Sequence, residues 1–180
     1  MPTRQTSELH GHRWSAPGVR YFVTACTRER RGGLEGQTVT DAIIECAADS
    51  DVVEDTETIA LCVMPDHIHW LFGLGCRLTL GRVMARMKAQ SRETLASIGL
   101  VWQRDFFEHR LRAEESAEDY ARYVFLNPYR AGTVAIAEIW RGWWCPRPEL
   151  LRFMLHLNQN GSPPTKWIGE PVPAALAVGE

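Results

Sequence analysis

The chain has 180 residues, 45% of them hydrophobic, with seven Trp and six Phe. That supports one domain with a full core and excludes a disordered, solvating chain. Twenty Lys and Arg against 22 Asp and Glu leave a formal charge of −2, which argues against holding nucleic acid by bulk charge alone.

In chain order, Arg20 to Thr27 (RYFVTACT) is aromatic and β-branched and follows Pro17-Gly18, so it reads as a strand. Thr40 to Ala48 places Ala42, Ile43, Cys46 and Ala47 at helical spacing, with Thr38 or Thr40 as N-cap. Thr58 to Met64 and His67 to Leu74 are short apolar strands joined tightly at Pro65-Asp66, which predicts a hairpin. Thr79 to Ile98 is expected to be the longest helix, amphipathic and ended by Gly99. Val101 to Leu111 reads as a fourth extended segment. Ser116 heads a last helix, SAEDYARYVFLNP, which Pro128 either bends or ends for want of an N–H. The remainder is rich in Trp, Pro and Gly. It is expected to pack across the domain and to fray after about Pro163.

The first six elements follow the βαββαβ order of a ferredoxin-like antiparallel sheet, an α+β fold with two helices on one face. The seventh, tyrosine-bearing helix is then free to cover the other face. The expected division is a basic arm over 1–18, a folded domain over 19–145 and a partly flexible extension over 146–180.

The five cysteines (Cys26, Cys46, Cys62, Cys76, Cys145) are odd in number and never form a CxxC pair, which argues against a zinc ribbon or a disulfide framework. The N-terminal MPTRQTSELHGHRW has no apolar leader, and no run approaches the ~18 apolar residues of a membrane helix. A soluble cytoplasmic protein with no membrane partner is the expectation.

The small net charge hides segregation. Thr38 to Thr58 carries seven acids and no base, whereas Arg77 to Arg112 carries eight bases and three acids. Eighteen of the 20 cations are Arg, whose planar fork suits phosphate. An Arg-rich composition with solvated helix faces would look the same, so the pattern raises a polyanion partner without establishing it.

His67-Ile68-His69 lies in a strand, so alternation puts both imidazoles on one face and Ile68, Trp70 and Phe72 on the other. Two such His can converge on one divalent cation, or can simply be satisfied side chains. Tyr123 and Asn127 are helical neighbours at i and i+4, so an Asn127 that reached a cation would bring Tyr123 near it. Core packing of Tyr120 and Tyr123 is the alternative. A second HxH, His10 and His12, sits in a polar Gly-containing segment and reads as a non-ligand.

Together MPDHIHWLF, VWQRDFFEHRLR and EDYARYVFLNPYRAGTV resemble the REP-associated tyrosine transposases, over about Arg20 to Trp144. These belong to the single-tyrosine, His-hydrophobe-His transposases of bacterial insertion sequences. The resemblance implies a ferredoxin-like core that acts on single-stranded DNA with Mg²⁺ or Mn²⁺. His67, His69 and the side-chain amide of Asn127 would hold the ion, Asn127 standing where wider relatives carry the longer Gln. Tyr123 would form a 5′-phosphotyrosine and release a 3′-hydroxyl, with Tyr120 as the reserve nucleophile. The substrate implied is a hairpin-forming palindromic repeat beside a short guide sequence. Relatives act as monomers or as homodimers that exchange the tyrosine helix. Candidate phosphate contacts are Arg13, Arg20, Arg77, Arg82, Arg86, Lys88, Arg92, Arg104, Arg110 and Arg112. Trp14, Trp102, Trp140, Trp143 and Trp144 are candidate stacking platforms or core residues. His109, beside Glu108, falls in the resembling block with no assignable role. A domesticated binder of hairpin nucleic acid and a zinc enzyme acting on small molecules are the alternative functions.

Overall fold

Alternation in the first strand sends Tyr21, Val23 and Ala25 into one core and Phe22 into another. That two-sided burial organises the molecule. The computed structural model of the protein describes residues 15–172, in the order β1 Arg20–Cys26, α1 Gln37–Val52, β2 Thr56–Val63, β3 His67–Leu74, α2 Leu80–Gln90, α3 Arg92–Ser97, β4 Phe107–Arg110, α4 Ala117–Arg130 and β5 Trp143–Trp144. The strands form one antiparallel sheet, β4-β1-β3-β2-β5. The expected α+β, ferredoxin-like order is present, with β5 as an added edge.

One face of the sheet packs Leu61, Trp70 and Phe72 against Ile43 of α1, Met84 of α2 and Leu95 of α3. The other packs Phe22, Ala60, Cys62 and Leu71 against α4 and the C-terminal segment. A register shift between Thr58 and Ala60 resets the alternation of β2, so that Thr58, which accepts from Trp70 Nε1 at 3.0 Å, shares a face with Leu61. All five cysteines are free. Among the described residues no helix is long and apolar enough to cross a membrane.

Four expectations are corrected. Helix α1 begins at Gln37 on a Gly36 cap, not at Thr38 or Thr40; the Thr40 hydroxyl instead donates to Leu34 O at 2.8 Å within the helix. The helix expected over Thr79 to Ile98 breaks at Ser91, whose Oγ donates back to Met87 O (2.8 Å) and accepts from Trp102 Nε1 (2.9 Å). Such back-bonding competes with the helical ladder and bends it. Of the extended segment Val101 to Leu111 only β4 pairs as a strand, besides an isolated bridge from Thr27 to Trp102. The carbonyls of Gln103, Arg104 and Asp105 all accept from Lys88 Nζ, at 2.8, 3.2 and 3.0 Å, which turns them out of any ladder. Finally, packing does not stop near Pro163: Trp167 is buried under the Arg122 guanidinium, 4.3 Å from its ring.

Pro128 does not end α4. The helix runs to Arg130. Ser116 caps its start, accepting from Asp119 N at 3.3 Å, as the sequence suggests. At the far edge, β5 approaches β2 so closely that a Cβ on Gly142 would lie 2.2 Å from Val63 O, and the Val63 N–H donates to Gly142 O at 2.8 Å. Only glycine admits that approach.

Candidate functional site

The β1–β3 register pairs Thr24 with His69 and Cys26 with His67, which fixes the surroundings of both imidazoles. Thr24 Oγ1 lies 2.9 Å from His69 Nδ1. Asp66 Oδ1 lies 2.6 Å from His67 Nδ1. The carboxylate only accepts, so it holds the His67 proton on Nδ1 and leaves Nε2 as a bare lone pair. His67 Nε2 and His69 Nε2 are 3.1 Å apart. His69 is buried, whereas His67 is partly open.

The pair fits a divalent cation. The 3.1 Å separation suits two nitrogen donors in adjacent positions around one ion. Thr24 supplies the adjustment needed, because a hydroxyl can donate to His69 Nδ1 or accept from it. When it accepts, His69 Nε2 is also a lone pair. Burial, with the neighbouring His67 and Arg30, holds the His69 imidazole well below its usual 6.5, so it meets a cation unprotonated.

An open cleft of about 370 Å³ lies over the pair, lined also by Arg30, Asp66, Asn127 and Thr133. Asn127 thus reaches the His cleft from α4. Among the described residues no cluster of three or more His, Cys, Asp or Glu could hold a metal, so a third side-chain donor here would be the Asn127 amide. Tyr123 sits one turn earlier, its ring 5.8 Å from His69 and edge-on to Phe22 at 6.1 Å. It is 5% exposed and also lines a second cavity with Arg122, Arg130 and Glu170. Imidazoles and phenol therefore stand on the same side of the sheet.

Tyr120 is placed differently. Its hydroxyl donates to Glu115 Oε1 at 3.0 Å, and burial followed by that carboxylate pushes its phenol well up. His109 Nε2 meets both Glu115 oxygens at 2.9 Å and its ring stacks on Tyr120. The role that the sequence did not assign to His109 is thus to tie β4 to the start of α4.

The candidate phosphate contacts are not gathered at the cleft. Arg20 lines another cavity with Asp51, Glu54 and Glu57. Arg77 donates to Val53 O at 2.8 Å, and Arg86 pairs with the buried Asp55 at 2.6 Å. Lys88 holds the carbonyls described above. Arg82, Arg92, Arg104, Arg110 and Arg112 are exposed, the first two on the helical layer opposite the cleft. Arg13, with His10, His12 and Trp14, lies outside the described residues. Of the tryptophans, Trp102 is buried, Trp140 Nε1 donates to Val63 O at 2.9 Å, and Trp143 packs on Phe125.

The cation that does line the cleft is one the sequence reading passed over. Arg30 Nη1 lies 3.4 Å from Asp66 Oδ2 and 3.3 Å from His67 Nδ1. It stands in a turn after β1 where both Glu29 (φ 60°) and Arg30 (φ 53°) are left-handed. For side chains with a Cβ that conformation costs about 1–2 kcal/mol each. The available signal was the run Arg28-Glu29-Arg30-Arg31 directly after a strand that must pair with the HxH strand.

The chain has known relatives. The family of IS200-like transposases matches residues 15–125. The chain belongs to that family. A solved REP-associated tyrosine transposase bound to a REP hairpin superposes with a TM-score of 0.55 at 26% identity, covering 68% of this chain and 74% of that one. The REP-associated tyrosine transposase of Escherichia coli strain K12 is 27% identical over 137 residues, 71% of this chain and 77% of the relative. A Haemophilus influenzae protein, provisionally named as another such transposase, is 28% identical over 99 residues, 47% of this chain. The match spans 56% of that relative's length.

For this transposase-family protein, the buried neutral His69 makes a stability prediction. Its folded-state pKa is lowered from 6.5, so between that lowered value and 6.5 the unfolded chain binds more protons. Metal-free protein should therefore lose stability as pH falls from about 7 to 5.5, by up to ~1.4 kcal/mol per pH unit. Urea unfolding at the two pH values reads this. His69→Gln should flatten the dependence, and an equal slope in both proteins would refute it.

Proposed function

We propose that the protein is a metal-dependent single-stranded DNA endonuclease and strand transferase that acts on hairpin-forming palindromic repeats. The observation that carries the reading is the meeting of His67 and His69, whose Nε2 atoms lie 3.1 Å apart, with the Asn127 amide in one open cleft and the Tyr123 ring against His69. Family membership and likeness to a hairpin-bound transposase support it.

His67, His69 and Asn127 would hold Mg²⁺ or Mn²⁺, which when bound polarises a non-bridging phosphate oxygen. Asp66 and Thr24 orient the two imidazoles. The Tyr123 oxygen attacks phosphorus and loses its proton, and the bond from phosphorus to the 3′ oxygen breaks. That oxygen takes a proton and leaves as a 3′-hydroxyl, while the phosphate stays on Tyr123 as a 5′-phosphotyrosine. One phosphoester replaces another, so the 3′-hydroxyl of this or another strand can attack in return and rejoin DNA without an external energy source.

The test is incubation with hairpin-bearing single-stranded oligonucleotides and Mn²⁺, followed by denaturing electrophoresis. A covalent adduct is expected, lost on chelation and lost in His67→Ala. Tight binding with no adduct would favour a hairpin-binding protein that has lost cleavage. Stoichiometric zinc with neither binding nor adduct would favour the small-molecule enzyme.

A further inference from the structure

We propose that Arg30 is the phosphate-binding residue of the His cleft, gripping the DNA phosphate that lies against His67 and His69. The inference rests on the reading above and deepens it by naming the side chain that would hold the reacting group. Arg30 is the only Lys or Arg that lines the cleft among the described residues. Its side chain is 54% exposed, and only Nη1 is engaged, at 3.4 Å from Asp66 Oδ2. That contact is long for a charge-assisted pair, so Asp66 steers the guanidinium without saturating its five donors.

The backbone around Arg30 is built to hold it there. Thr27 Oγ1 donates to Arg31 O at 2.7 Å, and Thr27 N donates to Asp66 O at 2.9 Å. Gly33 N and Leu34 N both donate to Pro65 O at 2.9 Å, and Arg28 N donates to Val101 O at 2.8 Å. The turn carrying Arg30 is thereby zipped to the turn that launches the HxH strand. Those bonds hold the two consecutive left-handed residues in place, and strain of this kind, fixed by its surroundings, collects at functional positions. A guanidinium preorganised beside the ligands meets the charge that grows on phosphorus oxygens during transfer. Asp66 serves both partners. One oxygen fixes the His67 tautomer and the other aims Arg30.

The experiment compares wild type with Arg30→Ala, Arg30→Gln and Arg30→Lys by three measurements. The first is binding of a fluorescent oligothymidylate in Mn²⁺ across a range of salt. The neutral variants should bind about fivefold more weakly at low salt, and the slope of log affinity against log salt should shrink by about 0.7, one phosphate contact on a single strand. Arg30→Lys should restore the slope. The second is titration with Mn²⁺ alone, where the neutral variants should match wild type within about twofold, unlike His67→Ala. The third is the rate of adduct formation on hairpin DNA, which should drop about a hundredfold in Arg30→Ala and recover only in part in Arg30→Lys, since a point charge lacks the fork.

An unchanged salt slope and affinity in both neutral variants would overturn the proposal. So would a loss of Mn²⁺ affinity as large as that of His67→Ala, which would make Arg30 a support for the imidazole instead. Arg30→Gln, which keeps most of the side chain, stands in if the alanine variant fails to fold. Binding is read without cleavage, so a wild-type protein that yields no adduct would defeat the phosphotyrosine reading while the salt slope still decided the phosphate contact. A wild type that yields adduct, matched by Arg30→Ala in slope, affinity and rate, would defeat the role of Arg30 alone.

Discussion

Replacing Tyr123 by Phe is expected to remove the covalent protein–DNA adduct, a loss of about 10⁴-fold or more, the scale seen when a nucleophile is deleted. The ring would remain, and with it the contacts to His69 and Phe22, so fold, Mn²⁺ affinity and DNA binding should be preserved. Tyr120→Phe is the informative control. It removes the hydrogen bond to Glu115 and should lower stability by about 1 kcal/mol while leaving adduct formation within about threefold. Denaturing gels with labelled hairpin DNA separate the two. An adduct that survives in Tyr123→Phe and vanishes in Tyr120→Phe would move the nucleophile one turn towards the start of α4, against the direction in which the Tyr120 phenol is shifted.

The second large effect concerns an arginine that the sequence proposed for DNA. Arg86→Ala should destabilise the protein by about 2–3 kcal/mol, because it strands a carboxylate that is 2% exposed. The only other cation within ion-pair distance of Asp55 among the described residues is Arg77, whose Nε stands 4.0 Å from the second oxygen. Urea unfolding measures the loss, and oligothymidylate affinity at fixed salt should stay within about twofold of wild type. A stable Arg86→Ala protein with weakened DNA binding would restore Arg86 to the nucleic-acid interface. Together with Arg30 this makes a paired contrast: one arginine acts on stability and the other on the phosphate.

Periodicity explains which parts were legible in the chain. The alternation of HIHWLFGL is local, so it correctly placed both imidazoles on the face opposite Ile68, Trp70 and Phe72. The i, i+4 spacing of Tyr123 and Asn127 is local too, and α4 carries both to the His pair. What escaped depended on partners distant in sequence. The break at Ser91 needs Trp102 to donate to its hydroxyl, and the irregular stretch after Trp102 needs Lys88 to collect its carbonyls. β5 is two residues long, below any periodic signal, and exists because Gly142 lets the chain close on Val63. The basic run after β1 hinted at Arg30, but its place in the cleft follows from how two turns distant in sequence are zipped together. Charge density along the chain pointed to α2, yet charge runs report composition, and the helical layer spends Arg86 and Lys88 on internal acceptors.

The placement of α4 on its own sheet has a wider consequence. The HxH strand and the tyrosine-bearing helix are parts of one polypeptide, joined by β4 and the Ser116 cap. Under the proposed reading, a cell holding only a handful of molecules would still possess fully assembled reaction centres, and scarcity would limit how often DNA is found rather than whether it can be cut.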